Sequence, residues 1–193
     1  MSLPQPDLAI LRKAQKGDER AFSIIVRTYE TPVYNYVLRL TNGDKSLAED
    51  LTQEVFLRVY QGLPRFSLRC KFTTWLFQVT KNRVLDELRA SERRPRCYVA
   101  LDDLPPLEAM DQPHERVEAI DAVWRAVELL NVDLKMALLL RDVVGLSYNE
   151  IADSLEVTLA TVKWRIFKAR EDVQVSLARE GITFGTAAEA HAY

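Results

Sequence analysis

The chain is poor in the residues that build metal and cofactor sites. It has only two cysteines, Cys70 and Cys97, and two histidines, His114 and His191. Neither pair has metal-ligand spacing, so no zinc site is expected and both thiols are expected to be free. No apolar run is long enough to cross a bilayer. The opening MSLPQPDLAI lacks the basic stretch and apolar core of a secretory signal. A cytoplasmic protein is therefore expected. Also absent are a nucleophile elbow, a Gly-rich phosphate loop, a zincin motif and a Rossmann fingerprint. Asp102-Asp103 and His114 fall in a Pro-rich stretch, where an acid pair or a lone histidine is ordinarily solvated. No catalytic residue, metal, cofactor or small-molecule substrate is expected, and the chain reads as a non-enzyme.

What is present is helical patterning. The 193 residues suffice for one large or two small domains, and the 48% apolar share is ordinary for a soluble globular chain. With no strand-like alternation and no repeat, the expected class is all-α. It comprises two small helical domains joined by a flexible, acidic, Pro-rich linker, with a helix-turn-helix in the second. The boundaries read as 1–95, a linker 96–118 containing Pro105, Pro106 and Pro113, a second domain 119–178, and a frayed tail 179–193. Charge divides along the same lines. Residues 1–95 carry 16 basic against 11 acidic side chains, a net +5, while 96–118 carry −4 and 119–193 carry −3. A basic front half suggests contact with phosphates, and the acidic total argues against an indiscriminate DNA binder.

The stretch 145–170, GLSYNEIADSLEVTLATVKWRIFKAR, reads as two short helices and a turn. Ser147 and Glu150 form a capping box, and Ile151, Ala152 and Leu155 an apolar stripe. Glu156-Val157-Thr158 interrupts it, with Thr158 able to cap the next helix. There Val162, Ile166, Ala169 and Val173 share one buried face, and Lys163, Arg165, Lys168 and Arg170 project from the remainder. This is the plan of a helix-turn-helix entering a major groove; an ordinary αα-hairpin with a solvated basic face fits it as well.

In the front half, residues 7–16 read as a helix with Leu8, Leu11 and Ala14 inward, stopped by Gly17-Asp18. Residues 19–40 carry an apolar stripe from Phe22 to Leu40, kinked or split at Thr31 by Pro32. Ser46 and Glu49 form a second capping box. In the helix they open, Leu47, Ala48, Leu51, Val55 and Val59 face inward. Glu49, Asp50, Gln53, Phe56, Leu57 and Tyr60 face outward, a mixture that suits either a protein-binding surface or a second helix packed over it. A basic loop, QGLPRFSLRCK, holds Arg65, Phe66, Ser67, Arg69 and Lys71. After it comes a helix that buries Phe72, Trp75, Leu76 and Val79 and carries an acid-free stripe of Thr74, Gln78, Lys81, Asn82 and Arg89. Cations beside aromatics and amides suit unpaired bases, with Trp75 serving either them or the core. A further helix is expected to resume at Glu118, with Ile120, Val123, Trp124, Val127 and Leu130 as its stripe.

Three stretches taken in order resemble one family. EDLTQEVFLRVY (49–60), FTTWLFQVTKNRVLDELR (72–89) and LLLRDVVGLSYNEIADSLEVTLATVKWRIFKAR (138–170), with the acidic linker between the second and third, resemble the extracytoplasmic-function sigma factors of bacterial RNA polymerase over about residues 7–178. The resemblance implies that residues 1–95 bind the polymerase clamp and melt the −10 element. Asp50, Gln53 and Glu54 match the clamp-binding helix, which Phe56 and Leu57 would extend. Loop 63–71 matches the one that captures a flipped −10 base, and Lys81, Asn82 and Arg83 match the strand-separating region. The −10 contacts then come from Arg65, Phe66, Ser67, Arg69, Lys71, Trp75, Gln78, Lys81, Asn82 and Arg83. The −35 contacts come from Thr158, Thr161, Lys163, Trp164, Arg165, Lys168 and Arg170. Implied partners are core RNA polymerase at its clamp and flap regions, promoter DNA, and an anti-sigma factor, often membrane-anchored. Three positions depart from the family pattern: Glu156 and Ala160 stand where glycine is usual, and Trp164 where a small polar residue is. A stand-alone helix-turn-helix regulator, binding duplex DNA by itself as a symmetric dimer, is the competing reading.

Overall fold

The computed structural model describes residues 3–93 and 114–182. Cys97, Asp102, Asp103, His191, most of the linker and the end of the tail lie outside the described residues. Among those described there are eight α-helices and no strand. They are α1 (Leu8–Gln15), α2 (Glu19–Leu40), α3 (Lys45–Gly62), α4 (Phe72–Arg93), α5 (His114–Glu128), α6 (Val132–Asp142), α7 (Tyr148–Leu155) and α8 (Leu159–Arg179).

Most helix starts are fixed by one polar side chain accepting from an otherwise orphaned amide. Asp7 accepts from Ala9 N at 2.7 Å, Asp18 from Ala21 N at 3.0 Å, Asp44 from Leu47 N at 3.0 Å and Asn131 from Asp133 N at 2.9 Å. The expected box at Ser46 and Glu49 is corrected by this: α3 begins two residues earlier, and Asp44 is its cap. The box at Ser147 and Glu150 is present with both of its bonds. α2 runs unbroken through Pro32. Removing one helical bond costs about 3 kcal/mol, which burial of Tyr29, Val33, Tyr36 and Val37 around it outweighs. α5 starts at His114, four residues before the expected position, and α8 continues to Arg179.

The first four helices pack in sequence, α1 on α2, α2 on α3 and α3 on α4. Their centre is Ile25, Tyr29, Tyr36, Leu51, Leu76 and Phe77, all fully buried. Leu8, expected inward, is half exposed, whereas Leu11 and Ala14 are buried. The last four helices gather round α8, with Met136, Leu139, Leu140, Leu146, Ile151 and Ile166 at their core. Ile120, expected in the α5 stripe, is exposed, and Ala122 and Ala126 are buried in its place.

The two halves touch along two seams, α4 against α7 and α2 against α6. At the second seam the Arg39 guanidinium lies 3.6 Å over the Trp124 ring. Buried Lys135 donates to Asn42 Oδ1 at 2.8 Å and to the Glu128 carbonyl at 2.9 Å.

Candidate nucleic-acid interface

The second helix of the helix-turn-helix is α8. Thr158 caps it by accepting from Thr161 N at 3.2 Å, and the two hydroxyls bond each other at 2.8 Å. Val162, Ile166 and Ala169 are buried, as their spacing predicts. Trp164 points the opposite way and is 60% exposed, with Phe167 beside it at 69%. The cations of this helix are mostly engaged. Arg165 donates to Asp133 at 2.8 Å, and Arg170 holds Asp142 through two bonds of 2.7 and 3.3 Å. Lys168 reaches Glu171 at 2.7 Å and Asp172 at 3.0 Å, which raise its pKa in that order. Lys163 is exposed and has no such acid among the described residues. The pairs of Lys168 and Arg170 lie at the surface, where water and salt screen them, so phosphates can replace these acids at small cost.

The turn between α7 and α8 carries the one non-glycine left-handed residue among the described residues of this half. Glu156 sits at φ 59°, ψ 42°, the αL cap that glycine ordinarily fills. Glutamate there costs on the order of 1 kcal/mol, as its replacement of the usual glycine suggests.

The basic loop is anchored at its root. Leu63–Arg65 forms a 3-10 turn, and Gln15 reaches across from α1 to donate to the carbonyls of Leu63 (3.2 Å) and Phe66 (2.7 Å). Phe66 is buried, its ring stacked on Trp75 at 4.8 Å and 25°. Trp75 in turn lies so close to Gly62 that a Cβ there would meet its ring at 3.1 Å. Phe66 is therefore corrected from a base contact to a core residue, and Trp75 supports it. The tip remains open: Arg65, Ser67, Leu68, Arg69 and Cys70 are exposed, with Leu68 held at φ 58°. Neither Gln15 nor Leu68 was singled out from sequence. Gln15 lies some fifty residues from the loop it pins, and nothing local marks Leu68.

On α3, Asp50, Gln53, Glu54 and Leu57 are exposed, Leu57 at 56%. Phe56 is buried and is corrected to a core residue: it lies close enough to the Val55–Val59 side of the helix to enter the core. Tyr60 is partly exposed and meets Phe22 edge-on at 4.9 Å. Glu54 bonds Arg83 Nε, and Arg83 also holds Glu87 at 2.9 Å. The bond from Arg83 lowers the Glu54 pKa, and the same bond raises that of Arg83. Arg83, expected at DNA, is thus spent on tying α4 to α3, and Glu54 is its acid.

The acid-free stripe of α4 splits in two. Asn82 is exposed. Thr74, Gln78 and Lys81 meet the helix-turn-helix, as does Lys71 at the end of the loop before α4. Lys71 Nζ lies 3.0 Å from Glu150 Oε1, and Ser154 Oγ donates to the Thr74 carbonyl at 3.0 Å. Lys81, expected to be open to DNA, is buried, with its ammonium 2.8 Å from Glu156 Oε2. Lys81 first, with a further bond from Gln78, lowers the pKa of Glu156. Among the described residues no cluster of potential metal ligands occurs, and no helix is long and apolar enough to cross a membrane.

Two family models match this chain, Sigma-70 region 2 over residues 25–94 and Sigma-70 region 4 over residues 120–173. They divide it as the helices do, one on the bundle of α2–α4 and the other on α5–α8. The chain belongs to the sigma-70 family of RNA polymerase factors, in its extracytoplasmic-function (ECF) group, and works in promoter-directed transcription initiation. It is 34% identical to the ECF RNA polymerase sigma-E factor of Escherichia coli K12 over 188 residues, covering 90% of this chain and 95% of that one. It is 32% identical to the RNA polymerase sigma-H factor of Pseudomonas aeruginosa over 187 residues, covering 92% and 96%. The fold is also that of two solved structures. One is CnrH in complex with the cytosolic domain of CnrY (TM-score 0.67, 21% identity, 89% of this chain and 96% of that one). The other is the sigma factor RpoE with the anti-sigma factor NepR from Bartonella quintana (TM-score 0.68, 19% identity, 81% and 96%).

Proposed function

We propose that this chain docks on the clamp of core RNA polymerase through the exposed face of α3, opens the −10 element with the loop tip and α4, and reads the −35 element with α8. The observation that carries the reading is the split character of α3. Ala48, Leu51, Val55 and Val59 fill the core, while Asp50, Gln53 and Leu57 are left to solvent. An exposed leucine between an acid and an amide is the composition of a docking surface with a polar rim. At the −10 strand, Ser67 and Arg69 of the loop tip and Asn82 of α4 are accessible as the molecule stands, and Arg65 flanks them. The test is permanganate reactivity of −10 thymines on a duplex promoter. Reactivity is expected with core polymerase and this chain together, and with neither alone. Asn82→Ala should depress it on duplex promoters more than on pre-melted bubbles. Equal loss on both would mean that Asn82 binds without separating strands; no loss on either would remove it from the site.

In α8 we assign base contacts to Arg165 and Lys168, and phosphate contacts to Lys163 and Arg170, with Thr158 and Thr161 at the helix entry. Arg165→Ala is expected to cost about 1–3 kcal/mol and relax preference at one −35 position, whereas Lys163→Ala should weaken every site alike and flatten the salt dependence. Gel-shift or transcription titrations on a panel of −35 variants distinguish the two patterns. A uniform loss for Arg165→Ala would demote it to a phosphate contact.

An anti-sigma factor, often membrane-anchored in this family, is the proposed regulator, and the anti-sigma factor NepR bound to the Bartonella RpoE supports that class of control. Trp164 and Phe167 form an exposed aromatic pair on the face that meets DNA, and such a pair suits a partner's apolar segment. We infer a cytoplasmic location, because core polymerase is there.

A further inference from the structure

Two glutamines that precede α2 hold the two ends of the basic loop. Gln15, half-buried on α1, donates to the carbonyls of Leu63 at 3.2 Å and Phe66 at 2.7 Å, where the loop begins. Gln5, in the segment before α1, meets buried Thr73, the second residue of α4, where the loop ends. Its Nε2 donates to Thr73 Oγ1 at 2.6 Å, and its Oε1 accepts from Thr73 N at 3.5 Å. That amide is one of those at a helix start with no partner inside the helix. The segment carrying Gln5 is itself fastened, since the Tyr29 hydroxyl donates to the Pro4 carbonyl and Leu3 packs on the core. Between the two pinned points lies the tip, with Leu68 at φ 58°. A residue with a Cβ disfavours that conformation, so the tip keeps its shape only where its surroundings impose it.

We propose that Gln5 and Gln15 are positioning residues for −10 recognition: together they impose the loop shape in which Ser67 and Arg69 meet the strand. The −10 role of the loop rests on the function proposed above; the pinning of its ends does not. Neither glutamine has to touch DNA. A held loop offers one arrangement of side chains. A released loop adapts to a wrong base and has to be ordered afresh for the right one. Loss of a pin therefore falls on discrimination at −10, and not on polymerase binding through α3 or on the −35 element.

The two amides give opposite expectations for the same substitution. Gln15 faces two carbonyls, which only accept, so Gln15→Glu loses both bonds and sets a carboxylate against them. Gln5 faces an N–H and a hydroxyl, and the hydroxyl can turn from acceptor to donor. Gln5→Glu thus keeps both bonds, and the start of α4 favours its charge.

Loop order is read from a nitroxide label on Cys70, which is exposed at the tip, in the full-length chain carrying Cys97→Ser. Selectivity is read with unlabelled protein, by single-round run-off transcription with core polymerase from promoters bearing each base at each −10 position. Gln15→Glu and Gln5→Ala should mobilise the label and narrow the ratio between best and worst base about five-fold, the scale of one neutral hydrogen bond. Gln15→Met, of similar length and without a polar end, should do the same and keeps the fold if the carboxylate does not. Gln5→Glu should match the wild type, and core-polymerase affinity should be unchanged throughout. A label as immobile as in the wild type in Gln15→Met and Gln5→Ala would overturn the proposal, as would a mobile label in Gln5→Glu. A mobile label with unaltered −10 selectivity would overturn the −10 role of the loop, and with it the positioning role.

Discussion

Asp50→Ala is expected to weaken binding to core RNA polymerase by roughly 30-fold or more, about 2 kcal/mol, because a central interface residue dominates its neighbours. Asp50 is exposed on α3 and has no partner among the described residues. Its removal therefore leaves nothing unpaired within the chain, and helical content and Tm should stay within the small range of surface substitutions. The loss would fall on the partner, where a polymerase cation is left desolvated and alone. Leu57→Ala should behave likewise. Glu54→Ala should not, because it strips Arg83 of one of its two acids and mixes a folding effect into the binding effect. A titration of fluorescent core polymerase with the folded variants measures this. Wild-type affinity for both Asp50→Ala and Leu57→Ala would return α3 to an ordinary helix with a solvated face.

The second large effect is on stability. Phe66→Ala is expected to destabilise the protein by about 3–5 kcal/mol, the range for a buried phenylalanine. The ring is 7% exposed and lies between Trp75 and Phe72. Without it Trp75 faces a void, and the loop loses the anchor that Gln15 provides only in part. For a chain of this size the loss corresponds to a fall of roughly 6–20 °C in Tm. Phe66→Leu should recover most of it. Thermal unfolding without DNA decides the matter. An unchanged Tm in Phe66→Ala would mean that the ring is free, and would restore it to the DNA-contacting tip.

These two residues also mark where sequence was informative and where it was not. Helical period identifies the inner faces of α3 and α8 well, because each buries one continuous stripe. It places Phe56 wrongly because a residue at the margin of a stripe is buried or exposed according to the neighbouring helix, which a wheel does not contain. Phe66 sits in a basic, punctuated loop, the usual setting for an exposed residue. Its burial depends on Trp75, nine positions on, and on the bare Gly62 that admits that indole. Capping shows the same limit. Ser147 and Glu150 lie where the helix starts, so the box forms; Ser46 is already the second residue of α3, because Asp44 caps its start. The left-handed turn at Glu156 was suggested by the resemblance, in which glycine is usual there, but its partner was not. Lys81 lies seventy-five residues away, and no local pattern pairs them. The acid-free stripe on α4 was real, yet its vacancy was not, since Glu156, in the turn after α7, meets its Lys81 and Gln78.

Promoter-directed initiation is tested most directly by transcribing the source genome in vitro with purified core polymerase, with and without this chain, and mapping the 5′ ends. New starts should appear only when the chain is present, share one −35 and one −10 element at a fixed spacing, and disappear with Asp50→Ala. Unaltered starts, or protection of a symmetric duplex site by the chain without polymerase, would contradict the sigma-factor reading and favour a stand-alone regulator.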